Sequence, residues 1–163
     1  MWKSVGGHRN MGSRVDNWEA ILSRELEKKR TFVRGKSDCV YFALSVVKNI
    51  TNIDLTKDGK KEYGEYKSKY GYKKLLMDHW LKYGESRMCE PSVYGAINYL
   101  CKKNGFLEIP KSLAQRGDLV MTVNHTNEEA LGIKTNQGSC YLAFDGTYVN
   151  VPIERLNHAW AIR

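Results

Sequence analysis

Of the residues in this chain that can take part in proton or acyl transfer, Cys39 has the most suggestive setting. The stretch "RGKSDCVYFALSVV", residues 34–47, sets a polar turn directly against an apolar run. If a helix starts at Ser37 or Asp38, the Cys39 thiol falls in its first turn. Unpaired N–H groups and the helix dipole favour negative charge there. Such placement can lower a thiol pKa from about 8.5 to roughly 3.5–7.5, and the same amides can hold a developing oxyanion. Read structurally, Cys39 is simply a small apolar residue in a core. Nucleophilic chemistry further requires a base beside the sulfur and a group that orients it.

The candidate bases are few. His125 sits in the polar stretch "VNHTNEEAL", and His158 precedes the final apolar run. His79 lies on an amphipathic helical pattern and reads as a structural or surface histidine. Glu128 and Glu129 follow His125 closely, but a carboxylate is an uncommon partner for a thiol, so they read as an acidic turn. The four cysteines, at 39, 89, 101 and 140, form no Cys-x-x-Cys pair and no metal-ligand spacing with the histidines. Neither a structural zinc nor any cofactor is therefore expected. Cys89 and Cys101 read as core or partly buried thiols.

The elements that would position these groups follow from periodicity. "DNWEAILSRELEKKR" places Trp18, Ile21, Leu22 and Leu26 on one helical face, with Asp16 and Glu19 at capping-box spacing. The helix beginning near Cys39 is apolar nearly all round, as expected of a central helix covered on several sides. "YKKLLMDHWLKY" predicts a third helix. "SVYGAINYLCKKNG" predicts a fourth, with Val93, Ala96, Ile97, Leu100 and Cys101 on one stripe and Gly105 as its stop. From residue 117 onward the pattern becomes short β-prone runs, "DLVMTV", "ALGIK", "CYLAFDGTYVNV" and "HAWAI", with Asp145-Gly146 at a hairpin tip. Helices followed by strands predict a single α+β domain over residues 14–163, its sheet mainly antiparallel. Residues 1–13 read as a flexible N-terminal arm.

These residues, taken in order, resemble NlpC-type papain-like cysteine peptidases. The resemblance is closer still to a branch of small phage and prophage proteins of that fold, often encoded among tail genes. "NWEAIL", "FVRGKSDCVYFA", "AQRGDLVM", "ALGI" and the terminal "AWAI" carry it, and they span nearly all of the chain from residue 16. The resemblance implies a papain-like fold in which the buried central helix opens at Cys39 and packs on the sheet. It assigns the nucleophile to Cys39, with Asp38 beside it. The implied activity is hydrolysis of amide bonds in peptidoglycan peptides, in a virion or in the host bacterial cytoplasm. The chain departs from the pattern at one position. The residue that opens the "HVGI"-like strand, where such enzymes keep their histidine, is Ala130. His125, five residues earlier, is the nearest replacement, and His158 is the alternative. A domain that has lost its base would instead be a structural or assembly component bound to other phage virion proteins.

Charge adds one further expectation. The chain carries a net +8. Residues 111–163 hold five basic and five acidic side chains, so the surplus lies upstream, densest from Lys57 to Lys74. Lysines interleaved with tyrosines there suit an anionic polymer. Alternatively the tyrosines anchor a loop to the core while the lysines stay solvated. No apolar run reaches membrane-spanning length and no basic-then-apolar leader is visible, which predicts free thiols in a reducing compartment. "RGD" at 116–118 reads as the turn into a core strand, with Asp118 bonding local backbone amides rather than forming an adhesion motif.

Overall fold

The computed structural model describes residues 14–143 and 145–163, and the arm expected at residues 1–13 lies outside them. Five α-helices come first: α1 (Trp18–Glu27), α2 (Cys39–Thr51), α3 (Leu55–Tyr63), α4 (Lys69–Tyr83) and α5 (Val93–Lys103). Six strands follow: β1 (Glu108–Ile109), β2 (Leu119–Val123), β3 (Glu129–Lys134), β4 (Ser139–Leu142), β5 (Tyr148–Val151) and β6 (His158–Trp160). They form one sheet in the order β1-β6-β2-β3-β4-β5, antiparallel at every pairing. The α+β class and the antiparallel sheet match the expectation from the sequence.

Helix α2 is the central one. Phe42, Ala43, Leu44, Val46, Val47 and Ile50 are all buried, and Ser45 is the single polar break between Val40 and Val47 apart from the Tyr41 hydroxyl. Asp38 caps it, accepting the Tyr41 amide at 3.0 Å. The main core joins α2 to Leu22 of α1, Leu55 of α3, Leu76 of α4 and Ile97 of α5. From the sheet it gains Leu119, Met121, Leu131, Ile133 and Trp160. Trp160 is fully buried, whereas Trp18 and Trp80 are half-buried at the edge of this core. A smaller cluster occupies the other face of the sheet, where Val120, Tyr141, Leu156 and Ala159 meet Ala130. The period-two alternation of strands produces this division: Leu131 and Ile133 face the helices, and Ala130 faces away.

The structure departs from expectation at several points. The capping box at Asp16 and Glu19 does not form. Asn17 takes the cap position without a side-chain bond, and the Glu19 carboxylate instead approaches Arg116 at 3.5 Å. A further helix, α3, stands where the sequence pattern assigned no element, so the helix expected third is α4 and the one expected fourth is α5. Cys89 is exposed rather than core or partly buried. Because α5 starts only at Val93, Cys89 falls in the preceding turn, and its neighbour Met88 fills the core.

The Gly117-Asp118 turn is built as expected and then extended. Asp118 accepts the amides of Gln115 at 2.8 Å and Ile162 at 3.0 Å. It also accepts Arg14 at 2.9 Å and Arg163 at 2.8 Å, which ties α1's approach to the last strand.

Candidate functional site

The turn that delivers Cys39 depends on a glycine. Gly35 has φ +82°, and any Cβ there would collide with the Tyr66 carbonyl, so only glycine lets the α3–α4 segment lie this close. The Tyr66 hydroxyl then donates to Asp38 at 2.5 Å, and the Gly35 amide donates to the same carboxylate oxygen at 3.0 Å. Asp38 is 1 % exposed and engages three donors. It caps a helix and clamps a loop, and none of those donors is an imidazole. Tyr66 stacks on Tyr41 and meets Tyr72 edge-on. Burial, then the Asp38 charge, pushes the Tyr66 hydroxyl far up, so it stays a neutral donor.

Cys39 is 9 % exposed, at the wall of a cleft between α2, α3, α4 and α5 with about 740 Å³ of empty space, part of it open to solvent. Arg34, Tyr66, Tyr72 and Glu129 surround its polar end. Leu44, Leu55, Leu75, Leu76, Ile97 and Leu100 line the rest. Burial pushes the Cys39 thiol up. A hydrogen bond from the Leu131 backbone opposes that shift, the Asp38 charge adds to it, and Arg34 and the Val40 backbone oppose it more weakly. The net direction is upward, so the sulfur is held as a thiol at neutral pH. The β3–β4 ladder pairs only Ile133 with Cys140 and Lys134 with Ser139. Leu131 lies beyond that ladder, and its backbone reaches the Cys39 sulfur.

The bases proposed from the sequence are dispersed. His125 is exposed in the β2–β3 turn, which Asn124 builds by accepting from Thr126 and Glu128. His158 stands on β6, its ring stacked 3.9 Å from that of Tyr94 and its Nδ1 3.0 Å from Glu108. His79 is buried against Tyr63 and Tyr83, with its Nε2 2.7 Å from Glu62. None of the three lines the Cys39 cleft, which has no histidine among its described lining residues. Asp38 and Cys39 are therefore brought together at the helix start, and His125 is left apart from both.

The β3 side chain that does enter the cleft is Glu129, one residue before the position the resemblance reserves for a base. Its carboxylate accepts the amides of Val93 at 3.0 Å and Tyr94 at 2.8 Å, so it caps the start of α5. Ala130 packs into the cluster on the opposite face. Glu128 turns outward to Lys69 at 2.5 Å. The sequence reading missed Arg34, Tyr66 and Tyr72 as neighbours of the thiol. The signal available was Asp54 ahead of "LTK" and Gly64 after Tyr63, a start and stop that mark α3 and fold the tyrosines back over α2. The Lys/Tyr segment divides between cleft and solvent, with Tyr70 exposed. Tyr63, Tyr66 and Tyr72 line the cleft, while the Lys61, Lys67, Lys73 and Lys74 side chains face solvent.

Among the described residues no three His, Cys, Asp or Glu side chains converge as a metal site, and no helix is long and apolar enough to cross a membrane. Among curated proteins none is significantly similar to the chain. Residues 13–162 match the family described as a domain of unknown function, DUF6950, and the chain belongs to that family.

Proposed function

We propose that this chain is an NlpC-type papain-like domain of the phage tail-associated branch that serves as a structural or assembly component of a virion, with its cysteine retained as a packed residue. The motif order from "NWEAIL" to "AWAI" supports the ancestry, as does an α+β fold whose central helix opens at Cys39. The observation that carries the non-catalytic reading is the environment of the thiol. Its cleft contains no imidazole among the described residues, its pKa is driven up by burial, and the one carboxylate that reaches in is committed to two backbone amides. A cysteine hydrolase needs the reverse: a lowered thiol pKa and a base free to move a proton. Peptidoglycan peptides are the substrate class of the hydrolytic alternative, and virion proteins are the partners of the reading favoured here.

Muropeptide digestion and thiol labelling of the purified chain test this reading together. No cleavage is expected, and iodoacetamide should label the exposed Cys89 well ahead of Cys39. Glu129→His puts an imidazole on the β3 side chain that enters the cleft and should speed Cys39 labelling. Ala130→His faces the other side of the sheet and should not. Muropeptide cleavage that disappears in Cys39→Ala would overturn the proposal.

A further inference from the structure

Helix α4 is apolar on two faces. Its inner face is accounted for: Leu76 and His79 are buried, and Tyr72 and Trp80 pack against the core. Its outer face carries Tyr70 at 75 % exposure, Met77 at 44 % and Leu81 at 75 %. Spacings of seven and four residues place these three side chains within about 40° of one another around the axis, in a ridge about 16 Å long. Isolated exposed apolar residues are ordinary, but here three line up on one helix face, Met77 and Leu81 adjacent and Tyr70 one turn beyond the exposed Lys74.

The charges beside the ridge are mostly of one sign. The ionisable residues exposed along its flanks are Lys73, Lys74, Asp78 and Lys82. Asp78 is already paired with Lys74 at 2.7 Å, and at the helix start Lys69 pairs with Glu128. A second copy of this chain would bring lysine flank against lysine flank, which disfavours self-association through this face. Nucleic acid would engage the lysines and leave Met77 and Leu81 uncovered.

We infer that the outer face of α4 is a docking surface for an acidic amphipathic helix of another protein. Apolar side chains of that helix would pack along Tyr70, Met77 and Leu81, and its glutamates or aspartates would meet Lys73 and Lys82. A straight ridge of this kind seats in the groove between the side-chain rows of a facing helix. The inference does not rest on the state of the Cys39 cleft.

The test uses the whole chain and a fluorescein-labelled 21-residue helical peptide with leucines at heptad positions a and d and glutamates at e and g. The control is the same peptide with lysines at e and g. Fluorescence anisotropy should give a micromolar Kd for the glutamate peptide and no saturable binding for the lysine peptide. Leu81→Ser and Lys82→Glu should each weaken binding about tenfold, as expected when an interface anchor is lost. Both positions are solvent-exposed, so unchanged circular dichroism melting verifies that each variant is folded. Four outcomes would overturn the inference: no binding of the glutamate peptide, equal binding of the lysine peptide, indifference to both substitutions, or a dimer in sedimentation that Leu81→Ser dissociates. A fifth would overturn it in favour of a membrane surface: binding to dioleoylphosphatidylglycerol vesicles, abolished by the same substitutions, without binding of the peptide.

Discussion

Two aspartates in this chain are almost completely buried, Asp38 beside the thiol and Asp118 at the entry to β2, and they are compensated differently. Asp118 receives two guanidinium groups and two backbone amides. Asp38 receives two amides and a tyrosine hydroxyl, all neutral donors. At Asp118 the charge is balanced within the cluster, and the carboxylate works as a tether. At Asp38 the hydrogen-bond donors are dipoles rather than charges, and the carboxylate acts on its neighbours. It raises Cys39 and Tyr66, and it raises Tyr41, whose pKa burial and this charge push up to about 12. An Asp-Cys pair at a helix start therefore suggests a nucleophile by position, while electrostatically the aspartate works against a thiolate.

The largest effect should come from the tether. Asp118→Ala removes the carboxylate partner of Arg14, which is nearly buried and keeps the Ile162 and Arg116 carbonyls, and of Arg163. The loss should be about 3 to 5 kcal/mol of folding stability in urea titration, the range for a buried pair that loses one partner. A loss well under 1 kcal/mol would erase the distinction between the two carboxylates. Next comes the cap. Asp38→Ala should cost about 2 kcal/mol, near the upper end for a lost N-cap. Asp38→Asn keeps an oxygen for the Tyr41 amide and removes the charge, so it should shift the pH profile of Cys39 alkylation to lower pH. If that profile stays put, the Asp38 charge does not act on the thiol.

The smallest effect is alkaline. Burial raises Cys140 from 9.0 to about 11 and Tyr141 from 10.0 to about 12. For groups raised in the fold, the stabilisation is complete below the unfolded value and is lost as pH climbs through the folded one. Melting temperature should therefore hold up to about pH 9 and decline toward pH 12, and Cys140→Ala should soften the early part of that decline.

Much of the frame was legible from periodicity. The α2 run from Val40 to Ile50 is too apolar for any place but the centre, and the turn chemistry around Asp145-Gly146 fixes the β4–β5 hairpin. The Cys39 position was legible for the same reason, since Asp38 is a strong cap. What was not legible depends on contacts between distant segments. Helix α3, "LTKDGKKEY", has a mid-helix glycine and a single fully buried side chain, Leu55, so its pattern alone does not separate it from a loop. Tyr66 finds Asp38 across 28 residues through the φ +82° turn at Gly35, a closure no local pattern encodes. The strand parity of β3 follows from its pairing with β2, where Val123 faces Glu129 and Thr122 faces Ala130. A text match cannot report it.

The Asp118 cluster also bears on how the domain comes apart. Arg14 lies just ahead of α1, and Ile162 and Arg163 lie just after β6, yet all three close on one carboxylate. The first helix and the last strand are therefore latched to each other, and neither can peel away without opening the same joint. Such a latch merges two segments that would otherwise fray separately into one cooperative unit, so local opening is left to the α3–α4 layer over the Cys39 cleft.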